Sequence, residues 1–196
     1  WTAALCSAPP EVLLAQWTPC LDVGNARLKD RSARPIVLLC ATQLLHAYLF
    51  HCHEGTNATT RRLDAFFAQY LPAQRGGIAP SDAHLEPYIA MVHYTLFRQP
   101  EYAQSVVLDM LRHSVFQDRS VVHQPELLQP TRMRIALRAI ARTLQCYASG
   151  DAPPFPTGDE GALLPDVPLG DEPATPIAFP SAAAGAPYGT FAELIG

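Results

Sequence analysis

A chain of 196 residues is long enough for one compact domain with a tail and too short for two comfortable domains. The net charge of −4 is unevenly spread: from Gly150 onward there are seven acids and no Lys or Arg, so the preceding body carries 14 bases against 11 acids, about +3, and the tail −7. A body so weakly basic lacks the concentrated patch that phosphate attraction needs, which argues against nucleic acid as a partner.

The chain opens on Trp1 with no initiator Met and no basic segment leading into an apolar run, so it reads as an internal piece of a larger chain without a targeting peptide. Residues 35–50 form the longest apolar stretch, but Thr42, Gln43 and His46 interrupt it, and it falls short of the ~20 residues a membrane span requires. A buried helix is the expectation there. Five cysteines at irregular spacing (Cys6, Cys20, Cys40, Cys52 and Cys146) read as free thiols acting as small hydrophobes in a reducing compartment.

In chain order, residues 1–34 are a poorly defined N-terminal segment, with a short helix over 11–17 started by Pro9 and Pro10 and a polar loop over 22–34. From Pro35, Ile36, Leu39, Cys40, Gln43, Leu44, Ala47 and Tyr48 recur at three- and four-residue intervals, predicting a long, largely buried helix that ends near Cys52. Thr56 or Asn57 is positioned to cap a second helix bearing Leu63, Phe66, Phe67 and Tyr70, which Pro72 and Gly76-Gly77 end. A third starts at Ser81 or Asp82 and runs through Arg98, tolerating Pro87 in its first turn. Pro100 opens a fourth, over about 101–116, with Tyr102, Val106, Met110 and Leu111 inward; a fifth runs from Pro130 or Thr131 to Ala148.

No segment alternates with period two between turn residues, so strands are not needed. The body, residues 35–148, is expected to be all-α. Helices joined by short Pro- and Gly-containing connections suit a bundle or a stack of helix pairs, and the open-ended start favours a HEAT/armadillo-like α-solenoid segment, although no strict internal repeat is visible. Residues 149–196 hold nine prolines, seven acids and a Ser-Ala-Ala-Ala-Gly-Ala stretch, a composition that predicts a disordered acidic tail. Two apolar islands in it, Ala162-Leu163-Leu164 and Phe191-Ala192-Glu193-Leu194-Ile195, are positioned to dock on a partner or a further repeat.

Candidate chemistry is thin. His46, His51, Cys52 and His53, with Cys40 nearby, are zinc-ligand types, but adjacent residues at a helix end point apart and no second ligand pair completes a tetrahedral site, so no metal is expected. A Cys52 nucleophile would need an orienting third residue and an oxyanion donor, and neither has a local signature. Gly76-Gly77 lacks the Lys-Ser/Thr of a phosphate loop. No catalytic residue and no cofactor are therefore expected. Asn57-Ala58-Thr59 matches a glycosylation sequon but sits where a helix cap belongs. On the fifth helix Arg134, Arg138 and Arg142 recur every four residues opposite Met133, Leu137, Ile140 and Leu144. That stripe is expected to be a solvated face, and it is the candidate partner-binding surface for an acidic protein or for the acidic tail.

Several short collinear blocks carry a resemblance. Leu45-His46-Ala47-Tyr48-Leu49-Phe50 with Cys52 and Glu54, then Thr59-Thr60-Arg61-Arg62-Leu63-Asp64, Pro80-Ser81-Asp82 with Leu85-Glu86-Pro87, Val92-His93-Tyr94, Pro130-Thr131-Arg132 with residues 135–140, and Pro153-Pro154-Phe155-Pro156 together resemble the central region of the fungal Furry-family cell morphogenesis proteins. The resemblance covers about residues 35–156. It implies a non-catalytic, protein-binding HEAT/armadillo-like scaffold supporting cell shape and polarised growth, cytoplasmic or at the cell cortex, working with an NDR-family kinase and its Mob co-activator.

Overall fold

The computed structural model describes residues 2–71, 85–115 and 130–157, all within the compact unit Trp1–Leu164. Those residues form seven helices and no strand: α1 (Thr2–Cys6), α2 (Pro10–Arg27), α3 (Arg34–His51), α4 (Thr56–Tyr70), α5 (Glu86–Arg98), α6 (Pro100–Val115) and α7 (Pro130–Ser149).

The all-α expectation holds, with corrections at the ends of elements. Where a seven-residue helix and a polar loop were expected, α2 runs on to Arg27, carrying Pro19 inside it. The reason is burial: Leu13, Trp17 and Leu21, each four residues on, lie on one face and are 1 % exposed, enough to hold a helix whose other face is polar and whose interior Pro lacks a hydrogen-bond donor. Gly55, rather than Thr56 or Asn57, occupies the N-cap of α4, with no side-chain cap bond. Ile36, expected inside, is exposed, whereas most of α3 between Leu38 and Leu49 is buried. The expected capping residues Ser81 and Asp82, and both apolar islands of the tail, lie outside the described residues.

The helices contact one another in a regular order. The odd-numbered helices form one row, with α1 against α3, α3 against α5 and α5 against α7, while α2 packs on α4 and both α2 and α6 brace the row. Within the row α5 is central, its residues 87–96 all buried. Burying a large apolar side chain there contributes about 1.5–3 kcal/mol each, which explains why a helix of only 13 residues persists.

Helices α3, α5 and α7 run parallel. Arg98 Nε at the end of α5 donates to Leu49 O at the end of α3, 49 residues earlier (3.0 Å). Tyr147 at the end of α7 donates to Phe97 O at the end of α5, 50 residues earlier (3.0 Å). Leu49 and Phe97 belong to the last turns of their helices, where carbonyls have no partner within the helix, so each helix caps its predecessor. Phe50, Phe97 and Tyr147 stack in series along the same edge, with centroids 6.2 and 5.0 Å apart. The second row repeats the offset: Tyr70 of α4 donates to Leu21 O of α2, 49 residues earlier, and Phe66 meets Trp17. Gly24 admits this contact, because a Cβ there would collide with the Tyr70 hydroxyl. Between α3 and α4 the turn is tied by Glu54, which pairs with Arg62 (2.6 Å) and accepts from Tyr48 (3.0 Å); burial pushes the Tyr48 phenol up to about 12.

Candidate interaction site

Two features between the odd-numbered helices depart from an ordinary apolar interface. The first lies between α5 and α7. Glu86, in the first turn of α5, reaches Arg138 Nη2 and Arg142 Nη2 with its two carboxylate oxygens, each at 2.7 Å. About two turns further along α5, Thr143 of α7 donates to Ala139 O (2.8 Å) and so accepts from His93 Nδ1–H (2.8 Å). That tautomer leaves His93 Nε2 as an acceptor facing Cys146 Sγ at 3.8 Å. His93 is wholly buried, and desolvation, with repulsion from Arg142, lowers its pKa to about 4. The imidazole is therefore neutral and fixed, a structural hydrogen-bonding group.

This network inverts the expected orientation of α7. Arg142 is 6 % exposed and Arg138 is half-buried against Glu86, whereas Arg134 is exposed. Leu137, expected inside, is 51 % exposed, and Met133, Ile140 and Leu144 are only half-covered. The buried face of α7 is Arg132, Ile135, Ala136, Ala139, Arg142 and Thr143. Two alanines let the helix axes approach closely, and Glu86 supplies the countercharge that makes an inward arginine tolerable. The three arginines are thus not one solvated stripe.

The second feature is a groove between α3 and α5 filled by the chain itself. Gly150 closes α7 with φ +77°, a left-handed turn that glycine adopts without strain, and its N–H bonds Cys146 O (2.9 Å). Residues 151–157 then return across α3 and α5. Each of Ala152, Pro153 and Phe155 precedes a proline and is confined to extended backbone, so this stretch is stiff before it docks. Three side chains donate to its carbonyls: His46 Nε2 to Pro153 O (3.1 Å), Tyr94 Oη to Pro154 O (3.2 Å) and Gln43 Nε2 to Pro156 O (2.9 Å). Pro153 and Pro156 are buried, and Phe155 sets its ring edge-on to His46 at 5.3 Å while staying 39 % exposed. The His46 ring also stacks on Phe50 at 4.2 Å. Burial lowers the His46 pKa, so the ring is neutral, and with Nε2–H donating, the buried Nδ1 has no partner.

These residues were expected to belong to a disordered tail that begins at 149. Residues 149–157 instead end a helix and fill a groove; the rest of the tail lies outside the described residues. His46 and Gln43 do appear in the sequence as polar interruptions of an apolar helix, a signal that they serve something at that face, but Tyr94 and Glu86 give none. Of the zinc-type cluster, His46 is under the docked segment, Cys52 is buried, and His51 and His53 face solvent. Among the described residues no three His, Cys, Asp or Glu side chains stand close enough to hold a metal ion. Burial pushes the Cys52 thiol up, and likewise Cys6, to about 11, with Cys40 and Cys20 nearby. Neither has the low pKa a nucleophile needs. Among the described residues no helix is long and apolar enough to cross a membrane.

Comparison with known proteins bears on the same residues. The family model described as "Cell morphogenesis N-terminal" matches residues 1–181. "Cell morphogenesis protein PAG1" of Saccharomyces cerevisiae is 29 % identical over 73 residues, a stretch that covers 36 % of this chain and 3 % of the yeast protein. The chain thus aligns with a small part of that relative. No solved structure matches the chain.

Proposed function

The chain belongs to the cell morphogenesis N-terminal family, the Furry-type morphogenesis proteins, and from that premise we propose that it is a helical-repeat scaffold segment that binds other proteins in the control of polarised growth. The single observation that supports this most is the recurrence of parallel contacts at 49 and 50 residues in both rows of helices. That offset is close to the ~40–47 residues of HEAT and armadillo units, in which each helix pair leans on the preceding one. A polar network whose histidine is held neutral and whose cysteine, Cys146, is held as a thiol by burial favours a structural role over a catalytic one.

The partners implied by the family resemblance are an NDR-family kinase and its Mob co-activator, and the place is the cytoplasm, at the cortex or sites of polarised growth. The test is affinity capture with the full chain from fungal extract, followed by mass spectrometry. Recovery of such a kinase or of Mob supports the reading; recovery of neither reduces the segment to a spacer. Of the arginine stripe, Arg134 is the exposed member, and its charge reversal is the variant to compare in the capture experiment. Reversal at Arg138 or Arg142 breaks the Glu86 pairs and reads stability instead.

A further inference from the structure

We propose that the groove between α3 and α5 is a recognition site for extended proline-rich peptides of the pattern apolar-x-Phe-Pro, held in cis by Pro153–Pro156 and open in trans to such a segment of a partner protein. The chemistry is read from the resident. Gln43, His46 and Tyr94 all address backbone carbonyls, which any peptide carries, so they set orientation without restricting sequence. Sequence is read at three places: the buried Pro153, the buried Pro156 and the Phe155 ring against His46. Aromatic walls plus side-chain donors aimed at the carbonyls of a prolyl segment are the physical means by which folded domains grip polyproline-type ligands, whose stiffness keeps the entropy lost on docking low.

The resident is seated in a way that permits exchange. It is joined to α7 through Gly150, where a Cβ would meet nothing within 4 Å. Asp151, Ala152, Pro154, Phe155 and Thr157 are exposed. No other helix is threaded through it, and its removal uncovers three donors that a second peptide would satisfy. The short tether gives the resident a high effective concentration, so a partner must carry the pattern in a tighter-binding form or act when the resident is released.

The test uses the full chain carrying Pro153→Ser, Phe155→Ala and Pro156→Ser, which opens the groove without touching a helix, and a fluorescein-labelled peptide of residues 151–157 read by anisotropy. Circular dichroism and cooperative unfolding establish that the variant is folded. The expected result is binding to the opened chain at least tenfold tighter than to the wild type, and a loss of at least tenfold when Gln43→Ala and Tyr94→Phe are added in the same background. A scrambled peptide, Pro-Asp-Phe-Thr-Pro-Ala-Pro, should not bind. No binding to a folded, opened chain overturns the proposal, as does binding that Gln43→Ala and Tyr94→Phe leave unchanged. A wild-type dimer whose two copies exchange residues 151–157 would give the groove to a second copy and overturn the partner assignment. None of these outcomes depends on capture of a kinase, so this proposal and the scaffold reading fail separately.

Discussion

The interface that α2 makes with its neighbours and the one between α5 and α7 solve the same packing problem with opposite materials. Around Trp17 the contacts are aromatic and aliphatic: Tyr48 at 4.7 Å, Phe66 at 5.9 Å, with Leu13 and Leu21 a turn away on either side. Between α5 and α7 a carboxylate, two guanidiniums, an imidazole and a hydroxyl take the corresponding places. Apolar periodicity identifies the inward face of α2 and misidentifies that of α7, because periodicity reports which face is apolar, and Glu86 offers Arg138 and Arg142 of α7 a charge partner that draws a different face inward.

Each side of the comparison can be broken by substitution. Trp17→Ala removes the largest wholly buried side chain and should cost about 4 kcal/mol in denaturant unfolding, independently of pH. Glu86→Gln leaves Arg142 buried beside a neutral partner and should cost about 3 kcal/mol, most of which Arg142→Met should restore in the double variant if the interface tolerates an apolar filling. A full loss in that double variant would mean that the ion pair sets the geometry of the helix pair.

The polar interface should also answer to pH, and the apolar one should not. His93 has its folded pKa depressed to about 4, so its contribution is fully present above its unfolded value near 6.5. As pH falls from 6.5 towards 4 the unfolded chain takes up a proton that the folded chain refuses, and up to about 3 kcal/mol is lost. His46, also depressed, acts in the same direction. The difference in unfolding free energy between wild type and His93→Gln, followed from pH 7 to 4.5, isolates the His93 part; a constant difference would show that His93 is not held neutral. A smaller effect, about 2 kcal/mol, is expected for Gly24→Ala, whose Cβ displaces the Tyr70 hydroxyl, and Tyr70→Phe should relieve part of it. Smallest is Tyr147→Phe, about 1 kcal/mol, through the Phe97 carbonyl it leaves without its donor.

Much of the fold was legible because helices α3 to α7 carry apolar residues at helical spacing and four of them, α3, α5, α6 and α7, start beside prolines: Pro35, Pro87, Pro100 and Pro130 stand at or next to their first residues. The extent of α2 was hidden because three buried residues in eighteen make too narrow a stripe to outweigh Pro19 and a polar surface. The regular offset was hidden for another reason. Arg98 with Leu49, Tyr147 with Phe97 and Tyr70 with Leu21 each join a side chain to a backbone carbonyl, and a carbonyl leaves no mark on residue identity. The groove was half legible: Gln43 and His46 announced themselves inside an apolar helix, and the prolines announced stiffness, but composition assigned those prolines to a tail.

Helices α3, α5 and α7 lie parallel, with their C-terminal ends side by side. A photoreactive benzoylphenylalanine in place of Phe97, followed by irradiation and peptide mapping, tests this directly. Adducts confined to the last turns of α3 and α7, around Phe50 and Tyr147, are the predicted result; adducts around Arg34 or Pro130, at the opposite ends of those helices, would contradict it.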